Sequence, residues 1–344
     1  MNKLTRGSSL TLLLVLIFAF SLLSACGNKN NNNAANSASA PAESAAASPK
    51  ESPKEAPKEK KELRIGFQKY GTVNILKAKG TLEPRLEAEG YNVSWIEFPG
   101  GPQLLEALNV GSIDFGHTGE APPIFAQAAD APLVYLAHEP ASPTSEGILV
   151  PKDSPIKTVA DLKGKKVALN KGSNVHYLLV KALEKAGLKY EDIETVFLKP
   201  GDARPAFENG SVDAWVIWDP FLAAAQTATG GTIIADGTDL VANHEFYLAS
   251  RDFAEKNKPA INVILDELNH IDQWAKDNIK EVAAELSPQL GIDVESLELA
   301  SGRRPYGLTV ISDEIIAAQQ QIADTFYSLK LIPKEIKVAD AVLK

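Results

Sequence analysis

Sulfur is almost missing from this 344-residue chain. Its one Met is Met1 and its one Cys is Cys26, so nothing from Gly27 to Lys344 carries a sulfur atom. This excludes a disulfide framework and a thiolate metal site in the body of the chain. The composition suits a protein made in quantity when sulfur is scarce; drift and avoidance of oxidation are the plainer readings. Catalytic signatures are missing too. The five histidines (His117, His138, His176, His244 and His270) show no metal-type spacing, and there is no nucleophile elbow, P-loop or dinucleotide fingerprint. No metal, no cofactor and no catalytic residue is expected. A basic surplus is also lacking: residues 61–344 carry 28 basic and 40 acidic side chains, which argues against a nucleic-acid partner. Net charge does not exclude an anionic small ligand, because local donors decide at a site.

What is present begins with an address. Lys3 and Arg6 precede an apolar run of 14 residues, Leu10–Leu23, short of the roughly 20 that a membrane span needs and suited to the core of a signal peptide. The run ends in Leu23-Ser24-Ala25-Cys26, which resembles a bacterial lipobox. Residues 1–25 are therefore read as a lipoprotein signal peptide and Cys26 as a lipidated N-terminus. The segment 26–61, built of Asn, Ala, Ser, Pro, Lys and Glu, is too polar to offset its ordering entropy and is expected to be a flexible linker. The globular part would be tethered to the extracytoplasmic face of a cell membrane.

From Leu63 onward, apolar runs of strand length alternate with amphipathic helical segments, the pattern of doubly wound, mostly parallel α/β sheets. A single helix with a Pro/Gly break is expected across 73–90, and mainly helix over 251–285, 293–300 and 312–329. Gly111-Ser112-Ile113-Asp114 and Gly210-Ser211-Val212-Asp213 echo one another, each between a short helix and a strand. Two similar lobes explain this better than one long sheet. They are expected at 62–147 plus 248–344 and at 148–247, and Asp114 and Asp213 are read as structural.

Ligands of open α/β sheets sit beyond the carboxyl ends of the strands. The candidate loops are 68–72, 118–122, 170–174, 200–204 and 218–220. Lys171-Gly172-Ser173-Asn174 and Thr118-Gly119-Glu120 each follow a strand and open a helix, so their amides offer an anion site; ordinary capping is the alternative. Arg303-Arg304 and Arg204 are candidate oxyanion donors, against a solvated surface role. Trp215, Trp218 and Phe221 are candidates to line an apolar pocket, with plain core as the alternative, and Trp218 beside Asp219-Pro220 is the best placed for a ligand.

Long stretches of the chain, among them `FPGGPQLLEALNVGSIDFGHTGEAPPIFAQAA`, `KGKKVALNKGSNVHYLLVKALEKAGL` and `DARPAFENGSVDAWVIWDPFLAAAQ`, resemble the aliphatic sulfonate-binding proteins of ABC importers. The resemblance covers about residues 62–344. It implies a two-lobe fold of the periplasmic-binding-protein type II class, a cleft between the lobes, and a monomeric, non-enzymatic receptor that passes an aliphatic sulfonate to an ABC permease and its ATPase. Carried onto matching positions, it implies ligand contacts at Gln68, Thr118, Gly119, Glu120, Ser173, Asn174, Trp218, Asp219, His244 and Arg303. Receptors for taurine, nitrate or a thiamine-precursor pyrimidine share every coarse feature. An enzyme of the thiamine-pyrimidine synthase type shares the fold, but its Cys-rich motif has no counterpart here.

Overall fold

The computed structural model describes residues 59–343. The expected signal peptide, Cys26 and nearly all of the linker lie outside them. Among the described residues no helix is long and apolar enough to cross a membrane.

One lobe is built on a six-stranded sheet of order β11-β4-β10-β3-β1-β2. Its strands are β1 (Lys61–Gln68), β2 (Tyr91–Phe98), β3 (Phe115–Gly119), β4 (Leu133–His138), β10 (Glu245–Ser250) and β11 (Thr309–Val310). The other has five strands in the order β7-β6-β8-β5-β9: β5 (Glu146–Val150), β6 (Lys166–Leu169), β7 (Glu194–Phe197), β8 (Ala214–Trp218) and β9 (Thr232–Asp236). The chain passes from the first sheet to the second in residues 139–145 and returns in 237–244.

The pairings are mixed, and the reason lies in those two passages. Strands β1–β4 share one direction, as uninterrupted strand–helix alternation requires. Arriving from the second lobe, β10 wedges between β3 and β4, antiparallel to both. In the other sheet β5, arriving from the first lobe, lies antiparallel between β8 and β9. The strands that run against the majority are thus these two and the short β11.

Both faces of each sheet are buried. Along β10, Phe246 and Leu248 enter one apolar cluster while Tyr247 and Ala249 enter another. Along β5, Ile148 and Val150 face one cluster and Leu149 the opposite one. This is the period-two signature of a strand covered by helices on both sides. Trp215, one of the three pocket candidates, is core and lines neither cavity of the cleft.

The helices are α1 (Thr72–Lys79), α2 (Leu82–Ala88), α3 (Gly101–Asn109), α4 (Pro122–Ala128), α5 (Asn174–Lys185), α6 (Pro200–Glu208), α7 (Phe221–Thr229), α8 (Arg251–Lys256), α9 (Lys258–Asp277), α10 (Ile279–Leu290), α11 (Val294–Gly302) and α12 (Asp313–Ser328). Two expected helices are divided. The 73–90 segment breaks in its middle at Gly80, which adopts φ 63 as the cap of α1, and Pro84 is absorbed in the first turn of α2, where its missing N–H costs nothing. The 251–285 stretch breaks at Asn257 and Asn278, whose side-chain amides turn back to the carbonyls of Phe253 and Trp274. An Asn side chain competing for backbone partners ends a helix in this way.

The Gly-Ser-x-Asp echo is one structural device used twice. Gly111 and Gly210 take φ 70 and 74 to end α3 and α6. Ser112 and Ser211 donate their N–H groups back into those helices at 2.8 and 2.9 Å. Asp114 accepts the N–H of Arg64 at 2.9 Å, and Asp213 that of Lys166 at 2.8 Å. Asp114 fastens the strand that follows it to β1, and Asp213 fastens the one that follows it to β6, the structural role read from sequence.

Candidate functional site

Six helices begin directly beyond strand ends: α1 after β1, α3 after β2, α4 after β3, α5 after β6, α6 after β7 and α7 after β8. Their N-terminal amides therefore converge on the region between the two sheets, the switch point at which α/β folds bind ligands. Two adjoining cavities occupy it. The inner one is lined by residues including Gln68, Lys69, Tyr70, His117, Asn174, Asp219, Glu245 and Arg304. The outer one has Phe98, Pro99, Pro200, Trp218 and Phe221 as its apolar walls. Gln68, Lys69 and Trp218 belong to both. The inner cavity holds about 40 Å³ and the outer about 290 Å³.

Five of the expected residues line these cavities: Gln68, Gly119, Asn174, Trp218 and Asp219. Gln68 closes β1, where its Nε2 donates to the carbonyl of His117 at 2.8 Å and its N–H to His117 Nε2 at 3.2 Å. Gly119 is required by close approach: a Cβ there would lie 2.9 Å from the Asn174 side chain. Trp218 stands edge-on to Phe221, ring centres 6.4 Å apart.

The other five stand behind the lining. Thr118 is buried and its hydroxyl donates to the Gly119 carbonyl. Ser173 does not cap α5 with its side chain; its hydroxyl donates to the Asn170 carbonyl at 2.7 Å. The Glu120 carboxyl turns away from the cleft to accept the His244 N–H at 3.2 Å. The His244 ring bonds the Glu139 carbonyl at 2.8 Å, and burial pushes its pKa down. Arg303 is the C-cap of α11; it donates to Asp219 at 3.1 and 3.2 Å and to Gln226 at 2.7 Å, an ion pair that joins the two lobes. Arg204 lies on an exposed face, paired with Glu208 one turn away. His176 sits inside the helix start, accepting the Gly172 N–H at 3.1 Å.

The cation that reaches the cleft is the next residue, Arg304. Its side chain is 11% exposed, pairs through one terminal nitrogen with Glu139, and leaves its fully buried Nε without a partner. Its guanidinium lies against Gly71, where a Cβ would come 3.5 Å from Nη1, and 5.7 Å from the Tyr70 ring centre. Gly71 has φ 98 and precedes the first turn of α1, so no side chain can separate the arginine from those amides. Glu139 is held in turn by the hydroxyls of Thr72 at 2.9 Å and Tyr247 at 2.5 Å. Asp272 takes the same Thr72 hydroxyl at 2.6 Å, and burial, with the Glu139 charge beside it, raises its pKa to about 8. Burial also acts to raise Glu245, but His117 and Arg304 outweigh it and the carboxylate is held below its ordinary range. Burial lifts Asp219 to about 6 in spite of Arg303.

Adjacent arginines could not be told apart in sequence. The signal available was the end of α11: with Gly302 as its last residue, the next two side chains leave the helix in different directions. Glu139, Tyr70 and Asn243 carried no local motif at all.

The family model described as NMT1/THI5 like matches residues 86–278. A protein of Escherichia coli (strain K12) named for aliphatic sulfonates binding is 47% identical over 283 residues, 81% of this chain and 88% of its own. One of Bacillus subtilis (strain 168) with the same name is 35% identical over 286 residues, 82% of this chain and 86% of its own. The solved structure of the alkanesulfonate-binding protein of Xanthomonas axonopodis pv. citri bound to MOPS superposes with a TM-score of 0.78 at 41% identity, over 83% of this chain and 99% of that one. The fold, the paired lobes and these likenesses agree: the chain belongs to the NMT1/THI5-like family, among the aliphatic sulfonates-binding proteins.

Proposed function

We propose that this chain is the receptor of an ABC importer, capturing an aliphatic sulfonate between its lobes and delivering it to the permease and ATPase. The observation that carries the reading is Arg304: a largely buried guanidinium with unengaged N–H groups, at the first turn of α1, opening onto an apolar annexe. A sulfonate stays ionised at physiological pH and offers three acceptor oxygens, so its burial demands several fixed donors. The tail would leave through the outer cavity, over Trp218 and Phe221. Gln68, Gly119, Asn174, Trp218 and Asp219 are the proposed contacts. Thr118, Glu120, Ser173, His244 and Arg303 support them from behind.

Capture requires the lobes, expected from sequence to divide at 147 and 247 and proposed instead to divide at the passages 139–145 and 237–244, to open and close about those passages. The buried ligand should then give a smaller radius of gyration by X-ray scattering; an unchanged radius at saturation argues against closure. Cys26, at the end of Leu23-Ser24-Ala25-Cys26, is proposed to be lipidated, holding the receptor as a monomer on the outer face of the cell membrane. Mass spectrometry finding an unmodified Cys26 in membrane-associated protein would overturn that.

Calorimetric titration with methane-, butane- and octanesulfonate, taurine, sulfate and nitrate tests the ligand class. Binding of the alkanesulfonates without turnover is expected. Tightest binding of nitrate, or consumption of a sulfonate by the protein alone, would replace the reading.

A further inference from the structure

Where the chain passes between the lobes it meets a second buried polar cluster, which shares Asn174 with the proposed ligand lining and Glu120 and His244 with the residues behind it. Glu120 follows β3 in the first lobe and Glu146 opens β5 in the second; they are 2% and 0% exposed. Glu120 Oε2 accepts the N–H of His244, on the return passage. Glu146 Oε2 accepts the side-chain amide of Asn174, at the start of α5. Asn243 joins them. Its Oδ1 accepts from the same Asn174 amide at 3.0 Å, while its Nδ2 donates to the Ser142 carbonyl at 2.9 Å and to Ser145 Oγ at 3.2 Å, on the outward passage. One network thus ties both lobes and both passages together. Yet Glu120 Oε1 and Glu146 Oε1 are each buried without a hydrogen-bond partner.

No cation balances these acids. Facing them are Asp236 from β9, Tyr177 from α5, Gln319 from α12 on the Glu120 carbonyl, and His244, whose ring is committed to Glu139 and stands against His138. Among the described residues no Lys, Arg or His side chain pairs with either carboxyl. An isolated ionised carboxylate in such a place is costly, and a neutral acid is not.

We propose that Glu120 and Glu146 form a proton-operated hinge contact: the closed lobes hold both carboxyls protonated, and opening hydrates and ionises them. Burial lifts Glu120 to about 7 and Glu146 well above the carboxylate range, the latter helped by the charges of Glu120 and Asp236. For an acid raised in this way the stabilising contribution is complete below the exposed value near 4.5 and is lost as pH rises through about 7. Above that, closure weakens by up to about tenfold per pH unit for each group titrating. Resting on the receptor reading, affinity for an alkanesulfonate falls over the same range.

The test uses the ligand-free protein first, so it stands even if the sulfonate reading fails. Between about pH 6 and about pH 8.5, the wild-type melting temperature should fall and its radius of gyration should grow. Glu120→Gln and Glu146→Gln, which mimic the neutral acid, should flatten both slopes. Infrared spectroscopy of the wild type should show buried protonated carboxyl bands that fade across this range, which decides the matter should a variant not fold. Absence of those bands at about pH 6, or equal slopes in all three proteins, overturns the proposal. So does a butanesulfonate affinity that is flat with pH while the bands fade.

Discussion

Two buried acid clusters lie within the same cleft region, and they differ in one respect. Around Arg304, the carboxylates of Glu139 and Glu245 share a guanidinium and a histidine. Around Asn243, Glu120 and Glu146 are met only by amide N–H groups. In the first cluster charge is retained, because Glu245 is held low by His117 and Arg304 against the opposing effect of burial. In the second, burial outweighs the opposing hydrogen bonds from backbone N–H groups to Glu120 and from Asn174 to Glu146, and the acids are pushed toward neutrality. A direct cationic partner thus keeps Glu139 and Glu245 in a fixed electrostatic socket, whereas Glu120 and Glu146, which lack one, form a titratable joint.

Removing that cation should have the largest effect. Arg304→Ala strands Glu139 and Glu245 in the interior and should cost about 3–5 kcal/mol of stability, as breaking a buried pair does, with sulfonate binding lost. Chemical denaturation and calorimetry measure both. A loss within experimental scatter would dissolve the distinction between the clusters. Adding Glu139→Gln to that variant should recover part of the stability, since one uncompensated charge is gone.

The same chemical change should have opposite signs in the two clusters. Glu139→Gln leaves Arg304 under-paired and should destabilise by about 1–3 kcal/mol. Glu146→Gln, measured by the same denaturation above neutral pH, should be neutral or stabilising. Asp219 is an intermediate case, an acid with a cation that is itself partly exposed. Its folded pKa of about 6 lies above its ordinary value of 3.8, so its contribution is present at acid pH and declines as pH rises through about 6. Arg303→Ala should accordingly cost about 1–3 kcal/mol above pH 7 and less near pH 5.

Two changes should spare both clusters. Trp218→Ala should weaken octanesulfonate by about 1–2 kcal/mol, in proportion to apolar area, and methanesulfonate hardly at all. Ser173→Ala removes only the bond to Asn170 and should cost about 1 kcal/mol of stability with affinity kept. A larger loss of affinity in that variant would return Ser173 to the ligand.

These contrasts also show what could be read in advance. Strand–helix alternation and the Gly-Ser-x-Asp echo are local, and local patterns located the sheets, the duplicated aspartate device and the loops that surround the cleft. The socket and the joint are assembled from residues far apart in sequence: Arg304 with Glu139, Glu120 with His244, and Asn174 with both Asn243 and Glu146. No spacing announces such pairs. The assignment to Arg303 failed to anticipate its tie to Asp219 for the same reason, since that partner lies 84 positions away in the other lobe. The divided helix at Asn257 and Asn278, by contrast, carried a signal in the asparagines themselves.

The position of β10 also dictates an order of assembly. The five-stranded lobe is contiguous, and every strand of its sheet has left the ribosome once Asp236 has emerged. The six-stranded sheet cannot close then: β3 and β4 are never neighbours, and the strand that joins them begins only at Glu245. Until it arrives, two edges with unpaired backbone groups face one another across a gap. The inserted lobe can therefore mature first, and its completion brings in the strand that seals the older half of the chain. A segment spanning residues 139–244 would be the autonomous folding unit, whereas the flanking halves joined without β10 would keep an open seam and the aggregation hazard that goes with it.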